Sequence, residues 1–586
     1  MPSSESHLKA PRWLRTFVRA RETSLVVVAA LIGSIAGMLV ALMSGAVNMM
    51  HIVLFNLLPG ERLSSQTWID PVRAILVPML GGLLLGIALL LLLRWRPGRE
   101  IDPIEANALH GGAMSFRGSL IVALQTVWSS GVGGSVGLEA GYTQIASGVA
   151  SSIGRALHLR RSDQRIMVGC GAAAAIAGAF GAPLAGAFYA FELIIGGYTA
   201  ASLTPIGVAA VAGFATTRAF SPLSLGISVS QIGEVTGQDL AVAALLGLIA
   251  ALFGIGIMRG VAQCDTLLQK IRLWPPLRPA LGGLLVGLLA LVTPEVLSSG
   301  HGALHVNSGM TAPITALVTL FALKTVASII SLGSGFRGGL FFASLLLGAI
   351  GGHLFAAGAN ALLPTLNLDI SVYAVIGMSA LSAAVIGGPL TMTFIALEAT
   401  GNLWLTTAVL IAVIVSTQTT RELFGYSFAT WRLHLRGETI RSAADVGWIR
   451  DLTVRSMMRA DMTTVNADLS IAQFRETFPL GSKTQVIAID ADERYAGIVL
   501  VADAHAPENQ PDDTLRQILR SRGFTLLPNW NVQEAVAAFD RAEAESLAVL
   551  DTLDRGRVIG VLTEAHVLRR YAEESEKRRR DLLGES

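Results

Sequence analysis

From Thr23 to Leu58 the chain is apolar and carries no Asp, Glu, Lys or Arg, and a second apolar run extends from Pro71 to Trp95. About 20 apolar residues suffice for a helix to cross a bilayer, so each run predicts a spanning helix. The first exceeds that length and predicts tilt. It also far exceeds the roughly 7–15-residue core of a signal peptide, so no cleaved leader is expected. Beyond these spans the apolar segments become short and are cut by glycine: Gly131 to Gly141, Gly169 to Gly186, Gly333 to Gly339 and Gly377 to Gly388. Interrupted helices are tolerated at membrane depth only where the freed backbone is buried in protein or lines a polar cavity. This pattern predicts a body that conducts or carries something.

Two repeats organise the chain. Gly171…Gly181-Ala182-Pro183-Leu184…Phe191-Glu192 returns as Gly377…Gly387-Gly388-Pro389-Leu390…Leu397-Glu398 at a constant offset of 206 residues. Paired repeats with broken helices at matching positions mark transporter-like folds whose site lies between the halves. Towards the C-terminus, Asp468-Leu469-Ser470-Ile471 and Val486-Ile487-Ala488…Gly497-Ile498-Val499 are echoed by Asn529-Trp530-Asn531-Val532 and Leu547-Ala548-Val549…Gly560-Val561-Leu562. Each unit reads as helix, alternating strand, turn, strand, helix. The polar stretch Ala504 to Asp513, with Pro507 and Pro511, reads as the loop between units.

Charge separates the two regimes. The 586 residues include 44 Lys and Arg and 42 Asp and Glu, and half of these lie beyond residue 440. The expected domains are a cytoplasmic N-terminal segment (1–22), a transmembrane domain (23–440) and a soluble pair of units (441–586, with units at about 451–505 and 520–575). Lys9, Arg12, Arg15, Arg19 and Arg21 precede the first span, which by the positive-inside rule puts the N-terminus in the cytoplasm. A formal net charge of +2 without a long basic stripe argues against nucleic acid as a partner. Cys170 and Cys264 lie in or beside apolar runs and read as packing residues. His301 and His305 are four apart but lack a third ligand, so no metal site is expected.

The candidate chemistry centres on Glu139, the sole Asp, Glu, Lys or Arg between Arg117 and Arg155, set in Gly137-Leu138-Glu139-Ala140-Gly141. An ionisable group at membrane depth marks a functional site by default, and this one opens a helix whose N–H groups attract anions. The carboxylate can itself occupy the anion's place and swing away, or accept a proton; the plainer alternative is a capping carboxylate at an interface. A membrane-embedded enzyme would need a nucleophile, base or metal cluster at one depth, and the body offers single carboxylates instead. A non-conducting sensor or scaffold using the soluble pair is the other rival, but an anchor gains nothing from broken helices.

Gly137 to Gly141 resembles the G(K/R)EGP motif of the CLC family of chloride channels and proton/chloride antiporters. Gly181-Ala182-Pro183-Leu184-Ala185-Gly186…Phe191-Glu192 is similar to its NAPLAG…E segment. Gly333-Ser334-Gly335…Gly338-Gly339-Leu340-Phe341-Phe342, led by Lys324, is similar to its GSG…GGxF segment. The soluble units resemble the paired CBS domains behind many members. The resemblance implies an all-α polytopic fold, an inverted repeat of about eighteen partly broken helices, followed by a cytoplasmic α+β CBS pair. It also implies a multi-pass homodimer in the cell membrane with both termini cytoplasmic. The implied cargo is chloride or a similar small monovalent anion, with protons as the alternative co-substrate and lipid as surroundings; no cofactor is required.

The resemblance assigns the gate to Glu139 and the anion pathway to Gly137, Leu138, Ala140, Gly141, Gly339, Leu340, Phe341 and Phe342, with Asp102 and Lys324 as flanking charges. The family's anion-holding serine has no counterpart in Arg99-Glu100-Ile101-Asp102-Pro103, and its anion-contacting tyrosine falls on Ala429, so backbone donors are left. Leu193 stands where antiporters carry their inner acid, which favours channel-like or weakly coupled transport over proton antiport. Glu192 and Glu398 read as structural carboxylates holding backbone N–H groups rather than permeation residues. Asp102 before Pro103 fits a helix N-cap, the alternative being an acid at the cytoplasmic mouth. Lys324 either lends positive potential to the pathway or makes a structural pairing. Asp503 and Thr563 are half-signatures for an adenosine nucleotide, against a structural or dimer-coupling role for the CBS pair.

Overall fold

The computed structural model describes residue 11 and residues 22–95, 100–221, 233–271, 273–301, 313–434, 452–552 and 554–583. The N-terminal basic cluster at residues 9–21, Arg99, His305 and the junction at 435–451 lie outside the described residues. Contacts divide the chain into Met1–Asp445 and Val446–Ser586. The first unit is helical: α1 (Glu22–Phe55), α2 (Pro71–Trp95), α3 (Pro103–Leu109), α4 (Phe116–Gly131), α5 (Glu139–Ala156), α6 (Arg161–Phe180), α7 (Pro183–Tyr189), α8 (Ala200–Phe220), α9 (Gly237–Lys270), α10 (Leu277–Ala290), α11 (Ile314–Ser334), α12 (Phe341–Leu362), α13 (Ile370–Ile386), α14 (Pro389–Thr400), α15 (Leu403–Leu423) and α16 (Phe428–His434). Among the described residues, seven helices are long and apolar enough to cross a membrane. At about 1.5 Å per residue, the 34 residues of α1 overrun a hydrocarbon core of about 30 Å, as a tilted helix does.

Hydrophobic burial cannot drive helix association in lipid, so close backbone packing by small residues takes its place. A methyl group on Gly82 of α2 would lie 2.2 Å from the Pro279 carbonyl oxygen of α10, and one on Gly283 would lie 2.0 Å from that of Pro78. Large apolar side chains such as Val27, Leu84, Leu252 and Val318 are left exposed on the outer helices, where lipid would meet them.

The 206-residue repeat is reciprocal in space. Glu192, in the π-helical turn after α7, accepts N–H bonds from Leu390 (2.8 Å) and Thr391 (2.9 Å) at the start of α14. Glu398, near the end of α14, accepts them from Leu184 (2.9 Å) and Ala185 (3.0 Å) at the start of α7. Donors and acceptors are thus exchanged between equivalent positions of the two halves. Gly181 and Gly387, one full repeat apart, end α6 and α13 in the left-handed region (φ +67° and +85°), which glycine adopts without strain.

The second unit holds two three-stranded sheets. The first combines α17 (Val454–Met457), β1 (Thr464–Asn466), α18 (Ile471–Thr477), β2 (Gln485–Ile489), β3 (Tyr495–Leu500) and α19 (Val501–Ala504). The second combines β4 (Thr525–Leu526), α20 (Val532–Ala542), β5 (Ser546–Leu550), β6 (Val558–Thr563) and α21 (Glu564–Leu583). In each sheet the leading strand is parallel to the middle one and the last is antiparallel to it. The leading strands are additions to the sequence reading: three and two residues are too few to display an alternation. Phe474 packs among Val486, Ala488 and Val499 in one core, and Phe539 among Leu547, Val549 and Leu562 in the other.

Candidate functional site

Gly137 and Gly339 exchange both backbone hydrogen bonds, at 2.9 and 3.1 Å, as an isolated antiparallel pair. Two residues further on, α5 begins at Glu139 and α12 at Phe341, so the pair brings two helix N-termini together inside the protein. Helix starts present unpaired N–H groups and partial positive charge, which suits an anion. The Glu139 carboxylate occupies that place. The residue is 4% exposed, its Oε1 accepts the Phe342 N–H at 3.2 Å, and its Oε2 is buried without a hydrogen-bond partner. Glycine is required beside it, because a methyl group on Gly137 would stand 2.0 Å from Oε2.

Two cavities lie beside this segment. The larger, about 370 Å³, is lined by Glu139, Ala140, Thr143, Gln144, Gly339, Leu340 and Phe341, with Asp102, Glu100, Tyr189, Arg337 and Ala429. The smaller, about 140 Å³, is lined by Leu138 and Tyr142, which flank Glu139, and by residues near the far end of α1. Glu139 thus lines the larger cavity, and Leu138 and Tyr142, near it in α5, line the smaller.

The other residues singled out in the sequence fall as follows. Asp102 caps α3, its Oδ1 accepting the Glu105 N–H at 2.9 Å, and also lines the larger cavity. Phe342 contributes its N–H, while its ring stacks on Phe180. Gly141 lines neither cavity; a methyl group there would meet Thr126 at 2.9 Å and Met43 at 3.0 Å, so its smallness serves helix packing. Lys324 also lines neither. It is fully buried, and its Nζ donates to the carbonyls of Val296 (3.0 Å) and Ser298 (2.8 Å), so it anchors a loop instead of facing an ion.

In the second unit, Asp503 is engaged by Arg520 Nε at 2.7 Å, and Thr563 is exposed at the end of β6. Asp468, bonded through both oxygens to Arg516 (2.5 and 3.0 Å), is held below the usual carboxylate range by that guanidinium.

The sequence reading missed two hydroxyl side chains in the larger cavity, Tyr189 and Thr143. Thr143 follows Glu139 by one helical turn and Tyr189 precedes Glu192 by three residues. Those spacings are the only signals, and they are shared by many packing residues.

The voltage gated chloride channel family matches residues 81–421, and the CBS domain family matches residues 512–573. A putative chloride channel protein, ClcB-like, from Ralstonia nicotianae is 35% identical over 334 residues, which are 56% of this chain and 77% of that one. The voltage-gated ClC-type chloride channel ClcB of Escherichia coli is 30% identical over 407 residues, 68% of this chain and 96% of that one. A slow cyanobacterial Cl−/H+ antiporter superposes with a TM-score of 0.62 at 23% identity, covering 70% of this chain and 97% of that one. A eukaryotic CLC transporter superposes with a TM-score of 0.57 at 18% identity, over 94% and 98%.

Proposed function

The chain belongs to the voltage gated chloride channel family, a family of transport proteins rather than enzymes, and from that premise we propose that it moves chloride across the cell membrane through a path closed by Glu139. CLC-type anion transport and a multi-pass membrane body come with membership. The specific ion, the gate and the mode of transport are the proposal.

The observation that carries it is the buried Glu139 carboxylate on the Phe342 N–H, lining one cavity while Leu138 and Tyr142 of the same segment line another. A carboxylate and a chloride ion compete for the same helix-end donors, and only one of them fits there at a time. When Glu139 swings off or takes up a proton, the Phe342 N–H and the α5 and α12 termini become available to the ion. Tyr189 and Thr143 add hydroxyl donors in the larger cavity, where the serine and tyrosine of the family pattern are missing. Leu193 carries no proton, so the path is channel-like or weakly coupled. The basic N-terminus and the soluble pair face the cytoplasm, and the functional unit is a homodimer with one path per subunit.

Flux of chloride from reconstituted vesicles tests this. Glu139→Gln and Glu139→Ala are expected to change the rate sharply and to abolish its dependence on pH; unchanged rate and pH response in both would refute the gate. Proton antiport is the second reading, favoured by the two further acids, Glu100 and Asp102, in the cavity that Glu139 lines. A chloride gradient that drives sustained uphill proton movement at a fixed ratio would select it.

A further inference from the structure

One face of α11 is polar, although the helix is long and apolar enough to cross a membrane. Lys324, Ser328 and Ser331 follow the i, i+4, i+7 spacing that puts side chains on one helix face, and all three are fully buried. Polar and ionisable groups at membrane depth are costly, so a buried row of them calls for a role. Each of the three holds a loop beside the gate. Ser331 Oγ accepts the Ser135 N–H at 2.9 Å and Ser328 Oγ pairs with Ser135 Oγ at 3.2 Å, two residues before the Gly137–Gly339 pair. Lys324 Nζ donates to the Ser298 carbonyl at 2.8 Å, three residues before His301, whose ring stacks on that of Phe342 at 3.3 Å. Ser298 is the strained point of this second loop. Its φ of +57° lies in the left-handed region, which a residue with a side chain keeps only where its surroundings enforce it. Three bonds do so: its N–H donates to the Gly133 carbonyl (3.2 Å), its hydroxyl pairs with that of Ser130 (3.1 Å), and its carbonyl takes the Lys324 ammonium.

We propose that the face made by Lys324, Ser328 and Ser331 is the frame of the gate, and that Lys324 and His301 are positioning residues for the Phe342 N–H; this rests on the reading of Glu139 as the gate. Two arms leave the frame and meet at one hydrogen bond. Through Ser135 it fixes the segment that leads into Glu139, and through Ser298 and His301 it fixes Phe342, whose N–H the Glu139 carboxylate accepts. The Phe342 ring stacks on both His301 and Phe180, within 21° and 7° of parallel, so the donor is placed from the side-chain end of its own residue. Ser299 Oγ bonds His301 Nδ1 at 2.5 Å, which sets the ring. A lysine suits the anchoring point because its ammonium reaches the Val296 and Ser298 carbonyls together and holds a left-handed residue that an apolar side chain would release. Hydrogen bonds weaken steeply once their angle or distance drifts, so a loosened donor binds carboxylate and anion alike less well.

Chloride flux from vesicles of the full chain, at graded chloride concentrations, separates positioning from plain folding. Lys324→Met and His301→Ala are each expected to raise the half-saturating concentration about 2–10-fold, the worth of one weakened hydrogen bond. Maximal flux per folded molecule should stay within about twofold of native, and Lys324→Arg, which keeps charge and donors, should restore the native half-saturation. Because both residues act through one loop, the double variant should match the more severe single one instead of showing the product of the two effects. Hydrogen exchange of the peptides that contain Gly137 and Phe342, read by mass spectrometry, needs no transport. At Phe342 it should quicken in Lys324→Met and return in Lys324→Arg; at Gly137 it should quicken in Ser331→Ala. Native half-saturation in either single variant, native exchange at Phe342 in Lys324→Met, or a double variant whose effects multiply overturns the proposal. His301 is half-buried and its replacement leaves the Lys324 bonds in place, so His301→Ala keeps the test open where Lys324→Met fails to fold. Failure of the gate reading shows elsewhere: unchanged flux in Glu139→Ala would refute the gate and leave the exchange result standing.

Discussion

Replacing Glu192 by Ala separates a structural carboxylate from one that handles ions or protons. The change strips the start of α14 of the acceptor for Leu390 N–H (2.8 Å) and Thr391 N–H (2.9 Å), and leaves the Thr391 hydroxyl without its 2.6 Å partner. Thr391 is fully buried and Leu390 half-buried, so water restores little at the first and part at the second. A buried donor without a partner costs about 1–3 kcal/mol and the lost helix-end attraction adds about 0.5 kcal/mol, giving roughly 1.5–3.5 kcal/mol in all. Glu398→Ala should cost less, because Glu398 accepts two N–H groups and no hydroxyl, whereas Glu192 also accepts the buried Thr391 hydroxyl. The two carboxylates tie the same pair of helices, whose Phe188 and Phe394 rings stack at 4.3 Å, so the loss in the double variant should depart from the sum of the single losses. The assay is heat-induced loss of folded protein in detergent, read by size exclusion, beside chloride flux per folded molecule. Lower melting with retained flux per molecule is expected. A native melting point with altered flux or altered proton movement in Glu192→Ala would refute the structural role and make Glu192 part of the path.

Three further outcomes are expected. Tyr189→Phe should change the permeability ratio of chloride to nitrate by about 2–10-fold, the worth of one neutral hydrogen bond, in vesicle flux; an unchanged ratio would mean that the hydroxyl does not touch the ion. In the soluble unit, the folded-state pKa of Asp468 is depressed, so its contribution to stability is complete above the usual aspartate range and is lost as pH falls through the lower folded value. Asp468→Asn should therefore flatten the acid side of that unit's unfolding profile and leave the neutral and alkaline sides alone, followed by hydrogen exchange of β1 to β3. Adenosine nucleotide should bind the native chain weakly, because Arg520 engages the Asp503 carboxylate at 2.7 Å, and Arg520→Ala should tighten it; tight binding to the native chain, measured by calorimetry with ATP, would contradict this.

Glu139 was legible in the sequence because ionisable groups are rare at membrane depth, and one acid in a glycine-rich segment stands out against an apolar background. The repeat was legible because its markers are residues with few substitutes: glycine at a left-handed helix end, proline at the first helical position, glutamate facing an opposing helix start. Ser298, Tyr189 and Thr143 were not legible in the same way. Serine, threonine and tyrosine serve as packing, capping and binding residues alike, and only the tertiary fold brings Ser298, on a loop far from Gly137 in sequence, to the cavity that Leu138 lines. Lys324 and Gly141 show that nearness in sequence leaves a residue's direction open. Both sit in or near segments that reach the site, yet helical rotation turns one towards loop carbonyls and the other towards Thr126 and Met43. The leading strands β1 and β4 escaped notice because pairing with a neighbour, rather than their own pattern, makes them strands.

The exchanged carboxylates carry a consequence for ancestry. Glu192 serves the start of α14 and Glu398 the start of α7, and each acid occupies the place in its own half that the other occupies in the opposite half. A half standing alone in lipid would hold an acid with no donors and a helix start with no acceptor. Two copies of one such half, inserted in opposite orientations, would supply each other's missing partner with no new residue. The bonding pattern is self-complementary, and a gene encoding one half, made in both orientations, would already have possessed it before duplication joined the two copies into one chain.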